Sequence, residues 1–209
     1  MNDDLIIASF LYSNCRLQPM NLLPLVTTFL LVFIAELGDK TQITVITLCS
    51  KWSRKTVFVG AMLAFLIVDG LSVLIGEALA TLLPFFWIQV VSGTIFILSG
   101  IFTLFSKEVK EEKEAYSCQF TVLSAFALVS LMELGDKTQI MVIALAAQYN
   151  MPVLVFAGVM LAFTLITVIG VAIGEIMLKK IPQKYMQTVT ATIFIIFGVL
   201  LLLNVLIKI

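Results

Sequence analysis

The chain has 209 residues, 61% hydrophobic and only 12% charged, against roughly 45–50% and about 25% in an ordinary soluble domain. That much apolar surface cannot be hidden inside a soluble fold, so the chain reads as an integral membrane protein. Acids and bases balance to a net charge of zero and histidine is absent, which argues against a nucleic-acid partner and removes the commonest transition-metal ligand and the usual proton carrier near neutral pH.

Residues 1–21 form an N-terminal extension whose apolar run, Leu5 to Leu11, is too short to span and follows Asp3 and Asp4 where a signal peptide would be basic. Met20 stands just before the first span and is a candidate start, to be settled by intact-mass analysis of the native protein.

A membrane-spanning helix needs about 20 mostly apolar residues. Six stretches qualify, at Leu22–Leu48, Val57–Leu79, Phe85–Phe105, Phe120–Ala147, Val153–Leu178 and Met186–Ile207. Trp87, Tyr149 and Tyr185 fall near span ends, where amphipathic rings prefer to sit. Connections are short, and residues 107–117 carry mixed charges that read as a solvated cytoplasmic linker. The three cysteines, Cys15, Cys49 and Cys118, lack metal-ligand spacing and suggest no disulfide framework.

The second half of the chain repeats the first. Glu36-Leu37-Gly38-Asp39-Lys40-Thr41-Gln42-Ile43 recurs letter for letter as Glu133 to Ile140, 97 positions later. Beyond the first loop the offset becomes 98: Met62-Leu63-Ala64-Phe65 recurs as Met160-Leu161-Ala162-Phe163, and Thr94-Ile95-Phe96-Ile97 as Thr192-Ile193-Phe194-Ile195. Repeat 1 covers residues 22–106 and repeat 2 residues 118–209, with three spans each. Three is odd, so the expected fold is all-α, with six transmembrane helices as two inverted-topology three-helix repeats, a plan common among secondary transporters. Loops between spans 1–2, 3–4 and 5–6 hold nine of the 13 Lys and Arg residues, and the opposite side holds Arg16 and Lys208. The positive-inside rule then places both termini outside the cytoplasm. Small-residue pairs, Gly60 with Ala64, Gly158 with Ala162, Ser72 with Gly76 and Gly170 with Gly174, mark helix packing.

Ionisable groups within a span are costly and usually mark a pathway or a site. On a continuous helix Glu36, Asp39 and Lys40 would share a face, as would Glu133, Asp136 and Lys137. Gly38 and Gly135 weaken the helix there, and an unwound turn would free carbonyl oxygens as ligands. Thr41, Gln42, Thr138 and Gln139 add neutral oxygens. The all-oxygen set of Glu36, Asp39, Glu133 and Asp136 with these four suits Ca²⁺, Mg²⁺ or Mn²⁺ as a transported ion, and no resident cofactor is expected. Two acids and one base per octet sum to −2 for the pair, which one divalent cation neutralises. An empty cluster of like charges in low dielectric takes up protons in place of the metal, as an antiporter requires. The plainer alternative makes Glu36–Lys40 and Glu133–Lys137 internal ion pairs that hold helices in register, although burying such pairs usually stabilises little. Lys40, Lys137, Asp69, Glu77 and Glu175 are candidates for proton coupling or gating. Glu77 and Glu175 also fit as helix-end residues reaching headgroup water, and Asp69, whose counterpart is Thr167, breaks the repeat symmetry.

The doubled Glu-x-Gly-Asp-(Lys/Arg)-(Thr/Ser) signature, present as Glu36 to Thr41 and Glu133 to Thr138, resembles the Gdt-type cation/proton antiporters. The resemblance covers about residues 22–207. It implies exchange of Mn²⁺, with Ca²⁺ as the other candidate, for protons by a transporter rather than an enzyme, with the octet acids on the metal. The compact chain resembles a bacterial manganese exporter of the plasma membrane. The partners expected are a divalent cation, protons, the lipid bilayer and a second copy in a homo-oligomer. Three alternatives stand beside it: an exporter of a small organic cation such as a basic amino acid, a divalent cation channel, and an intramembrane aspartyl protease. The last is disfavoured because Asp39 and Asp136 are each crowded by a glutamate and followed by lysine.

Overall fold

A computed structural model describes residues 22–37, 39–105, 121–180 and 183–207, apart from the side chains of residues 50, 51, 173–180, 183 and 186. The N-terminal extension 1–21, the linker 107–117, Gly38 and the Glu175 side chain lie outside the described residues. Those described form eight α-helices: α1 (Leu23–Glu36), α2 (Lys40–Lys51), α3 (Arg54–Leu82), α4 (Phe85–Phe105), α5 (Val122–Glu133), α6 (Lys137–Tyr149), α7 (Pro152–Lys180) and α8 (Gln183–Ile207).

Within α3, α4, α7 and α8 lie four segments long and apolar enough to cross a membrane, whereas α1 and α5 are shorter apolar helices. The first and fourth expected spans are therefore each built in two pieces, α1–α2 and α5–α6, and the break in both falls inside the repeated octet. Local chemistry sets the boundaries. Pro24 opens α1 where its missing N–H costs nothing. Thr121 and Ser124 form a reciprocal capping box at the start of α5. Asn150, left-handed at φ 50°, ends α6, and Pro152 begins α7 two residues later.

Both halves run in the same order, a broken helix followed by two long ones. They interlock: α1 packs along α7 of the other half, α5 along α3, and α4 along α8. Two repeat-related small residues permit close approaches between the halves. A Cβ on Gly60 would stand 2.5 Å from the Ala125 Cβ of α5, and one on its counterpart Gly158 would stand 2.6 Å from the Leu25 carbonyl oxygen of α1.

Two aromatic pairs from repeat-related positions close the centre. Phe65 stacks on Phe163, with centroids 3.9 Å apart, and Phe96 meets Phe194 edge to face at 5.6 Å. All four rings are buried. The outward faces, in contrast, carry large exposed apolar side chains such as Leu71, Leu74, Leu98, Phe102, Leu131, Leu200 and Leu206. A surface of that extent is one that lipid covers.

The halves are alike in order but not in packing. Helix α6 lies against both α3 and α4, whereas its counterpart α2 lies against α7 and makes no comparable contact with α8 among the described residues. Hydrogen bonds record the same difference. Ser92 of α4 donates to the Ala144 carbonyl of α6 in a long bond of 3.5 Å. Its counterpart Thr190 of α8 does not reach α2, and donates instead to the Ile34 carbonyl near the end of α1 at 3.0 Å.

Candidate cation-binding site

The octets are not continuous helix, so the expectation that the two acids and the lysine share one helical face does not describe the site. After Glu36 the backbone extends through Leu37 (ψ 109°) and Asp39 (ψ 170°) before α2 begins. After Glu133 it does the same through Leu134 (ψ 115°) and Asp136 (ψ 162°), with Gly135 left-handed at φ +82°. Each break is closed by the aspartate N–H donating to the glutamate carbonyl, at 3.1 Å in both copies. Glycine is required at 135 for its backbone, since a Cβ there would meet no atom within 4 Å. In each octet the glutamate ends one helix and the aspartate stands at the N-cap position of the next; Asp136 accepts from the Thr138 N–H at 3.5 Å, whereas the Asp39 side chain makes no such bond.

This geometry turns the glutamates inward. Glu36 and Glu133 are each 1% exposed and count among the largest fully buried side chains of the molecule. Carboxylate oxygens of Glu36, Glu133 and Asp136 lie within 4.8 Å of one another. Oxygens on opposite sides of a Ca²⁺ ion, each at about 2.3–2.6 Å, stand about 5 Å apart, so the three groups are spaced to share one hard cation. Thr138 donates its hydroxyl to Glu36 across the halves. Thr41 interacts with Glu133 in the corresponding place, but among the described residues neither buried Glu133 oxygen accepts a hydrogen bond of ordinary geometry. Buried carboxylate oxygens without donors are rare, and they are what a cation ligand looks like.

The remaining octet residues divide. Asp39 pairs with Lys137 of the other octet, Oδ1 to Nζ at 2.7 Å, beside the three converging acids. Lys40, the identical residue of the first octet, is exposed. Neither the Glu36–Lys40 nor the Glu133–Lys137 ion pair forms among the described residues. Gln42 is buried, whereas the Gln139 Oε1 accepts from the Gly135 N–H at 2.7 Å and ties down the second break. Glu77 is half-buried towards the end of α3.

A small cavity opens beside Glu36, lined by Thr41, Gln42, Phe65, Phe163, Thr167 and Gly170 among others. Thr167 and the two phenylalanines had no ligand chemistry to single them out in the sequence; their signal was position, since each belongs to a repeat-related pair. Asp69, the counterpart of Thr167, is 1% exposed and both its oxygens lack a donor.

The family described as divalent cation/proton antiporter GDT1 matches the chain twice, over residues 24–111 and 121–208. A GDT1-like protein of Synechocystis, sll0615, is 30% identical over 191 residues, covering 81% of this chain and 92% of the relative. A Vibrio cholerae protein named "Putative manganese exporter" is 31% identical over 172 residues, covering 80% and 84%. Protein PAM71, chloroplastic, of Arabidopsis thaliana is 29% identical over 202 residues, covering 82% of this chain and 54% of that protein. No solved structure matches. The two family matches fall on the two halves, and each contains one octet with its helix break. The chain belongs to the GDT1 family of divalent cation/proton antiporters.

Proposed function

We propose that this chain exports Mn²⁺ from the cytoplasm in exchange for protons, with Ca²⁺ as the second candidate ion. The observation that carries the proposal is the convergence of Glu36, Glu133 and Asp136 at two helix breaks, one from each half. An all-oxygen set of this kind suits Mn²⁺ and Ca²⁺, and the name of the Vibrio cholerae relative supports manganese. Asp39 with Lys137, and the neutral oxygens of Thr41, Gln42, Thr138 and Gln139, complete the surroundings. Carboxylates that hold the ion take up protons when it leaves, which couples the two flows.

In this reading α1–α2 and α5–α6 are broken spans, and the chain crosses the plasma membrane six times as two inverted repeats with both termini outside the cytoplasm. Helix ends and uncoiled backbone at the midplane are tolerated where they line a protein cavity. With that orientation α2 runs towards the cytoplasm and α6 away from it. The looser packing of α2 against the other half, and the cavity beside Glu36, Gln42 and Thr167, support a cytoplasm-facing state. Exchange follows when the two halves trade packing arrangements around the shared acids.

Proteoliposomes containing a pH dye test the proposal, with Mn²⁺, Ca²⁺, Mg²⁺ or lysine added outside. The expected result is proton movement outward against Mn²⁺ entry, with Ca²⁺ weaker. Metal entry with no proton signal under clamped voltage would make the protein a channel. A response to lysine alone would transfer the acids to an organic cation.

A further inference from the structure

The residues lining the cavity beside Glu36 have counterparts that the repeat defines. Carrying them across by the offsets of 97 and 98 replaces Glu36, Thr41, Gln42 and Val45 by Glu133, Thr138, Gln139 and Val142. Phe65 and Phe163 exchange with each other. Ile166 becomes the equally apolar Val68, and the chemistry changes only at the last two positions, where Thr167 and Gly170 become Asp69 and Ser72. The lining of the Glu36 cavity thus has a hydroxyl and a glycine where the repeat-related positions hold a carboxylate and a hydroxyl.

Asp69 has no structural occupation that explains it. Both its oxygens are buried without a donor among the described residues, on the buried face of α3 that also carries Phe65, Val68, Ser72 and Val73. Burying a carboxylate uncompensated is costly. Thr167 lines the cavity together with Glu36, and the repeat carries that pair of positions onto Asp69 and Glu133. Glu133 is itself the glutamate whose two oxygens find no donor, so this side gathers four such carboxylate oxygens from two residues. Ser72, one turn along, is fully buried and donates its proton to the Val68 carbonyl at 2.7 Å. Its hydroxyl oxygen therefore keeps lone pairs for another partner.

We propose that Asp69 is a further ligand-bearing acid of the cation site, acting with Glu133 and the Ser72 hydroxyl to hold a divalent cation, so that the two repeat-related sides of the site bind it unequally. This rests on the cation-transport reading above and extends it. Under that orientation α3 carries Asp69 on the extracytoplasmic side of the breaks. An ion arriving past Thr167 is received by Asp69, and the chain is directional in a way that two identical octets are not.

Equilibrium Mn²⁺ binding to the purified full chain in lipid nanodiscs tests this, alongside the melting temperature without metal. Asp69→Asn removes the charge at constant shape. Asp69→Thr installs the residue that the other half accommodates at the same place, which guards against misfolding. Outer partners of metal sites are typically worth 10–100-fold in affinity, and both variants are expected to weaken Mn²⁺ binding at least tenfold while the metal-free melting temperature holds or rises. Combining Asp69→Asn with Glu133→Gln should cost less than the product of the two single losses, since the pair acts on one ion. Unchanged affinity in both Asp69 variants, with Glu133→Gln defective, would overturn the role of Asp69 and leave the transport reading intact. A wild-type chain that binds neither Mn²⁺ nor Ca²⁺ would overturn both.

Discussion

Lys137 of one octet reaches Asp39 of the other, Nζ to Oδ1 at 2.7 Å, and joins the two halves at their helix breaks. The identical octets thus use their lysines differently, because Lys40 is exposed. Both partners of the bridge are about four-fifths covered, with side chains 20% and 18% exposed, so the pair is shielded from full solvent screening. Lys137→Gln should therefore destabilise the chain by about 1.5–3 kcal/mol, the range for a hydrogen bond to a charged group, and slow transport by leaving Asp39 uncompensated beside three other acids. Lys40→Gln should leave the melting temperature unchanged. Equal effects from the two lysine variants in paired melting and flux assays would show that the bridge contributes nothing.

Glu36 accepts the Thr138 hydroxyl across the halves. Glu36→Gln keeps a carbonyl oxygen for that proton and removes only the charge, so the fold should survive. Asp136→Asn likewise preserves an acceptor for the Thr138 N–H. Each variant is expected to elute as the wild type does and to lose Mn²⁺ flux by at least about 10–100-fold. Near-normal flux in either one would remove that residue from the site.

The second break depends on Gly135 at φ +82°, with open space where a Cβ would stand. The cost of Gly135→Ala is then purely conformational, about 1–2 kcal/mol for a side chain in the left-handed region. Asn, which tolerates that region better, should recover part of the loss in thermal melts. Gly76→Ala differs in kind: its Cβ would stand 2.5 Å from the Ile143 carbonyl oxygen and from the Ala146 Cβ. It should be the more disruptive substitution, and the Asn variant at that position should do worse still. A rescue by Asn at 76 and none at 135 would reverse this assignment.

The repeat, the doubled octet and the apolar segments were legible because each is written in residue order: an exact duplication, two acids inside an apolar run, and lengths that suit a bilayer. Glycine in each octet hinted at a break, yet helical spacing alone placed Glu36, Asp39 and Lys40 on one face. The extended backbone at Leu37 and Asp39 undoes that by turning Lys40 outward while Glu36 stays buried. The partner of Asp39 was not legible for a deeper reason. Two identical octets offer two equivalent lysines, and the one that bridges is distinguished only in three dimensions, where α2 and α6 pack unequally. Asp69 was visible as a departure from symmetry, but its lack of any donor is a fact of three-dimensional burial. Thr167, Phe65 and Phe163 were visible only as members of repeat-related pairs, and the cavity they line is what brings them to the site.

If the two halves trade packing arrangements as proposed, the unequal packing of equivalent elements defines the opposite state. Ser92 now bonds the Ala144 carbonyl, while its counterpart Thr190 bonds the Ile34 carbonyl. Exchanging the roles of the halves moves Ser92 to the Leu131 carbonyl and Thr190 to that of Thr47, the repeat-related positions. In that state α2 closes on α8 and α6 leaves α4. A disulfide needs Cα atoms roughly 4.4–6.8 Å apart, so cysteine pairs report the two arrangements separately. With Cys15, Cys49 and Cys118 replaced by Ser, the pair Ser92→Cys and Ala144→Cys should cross-link in the state described here. The pair Thr47→Cys and Thr190→Cys should cross-link only in the exchanged one. Each bridge should stop Mn²⁺/H⁺ exchange and release it on reduction. Conditions that raise one yield, such as Mn²⁺ or a proton gradient, should lower the other. Yields that rise and fall together would show that the packing difference is a fixed property of the fold and not one half of a transport cycle.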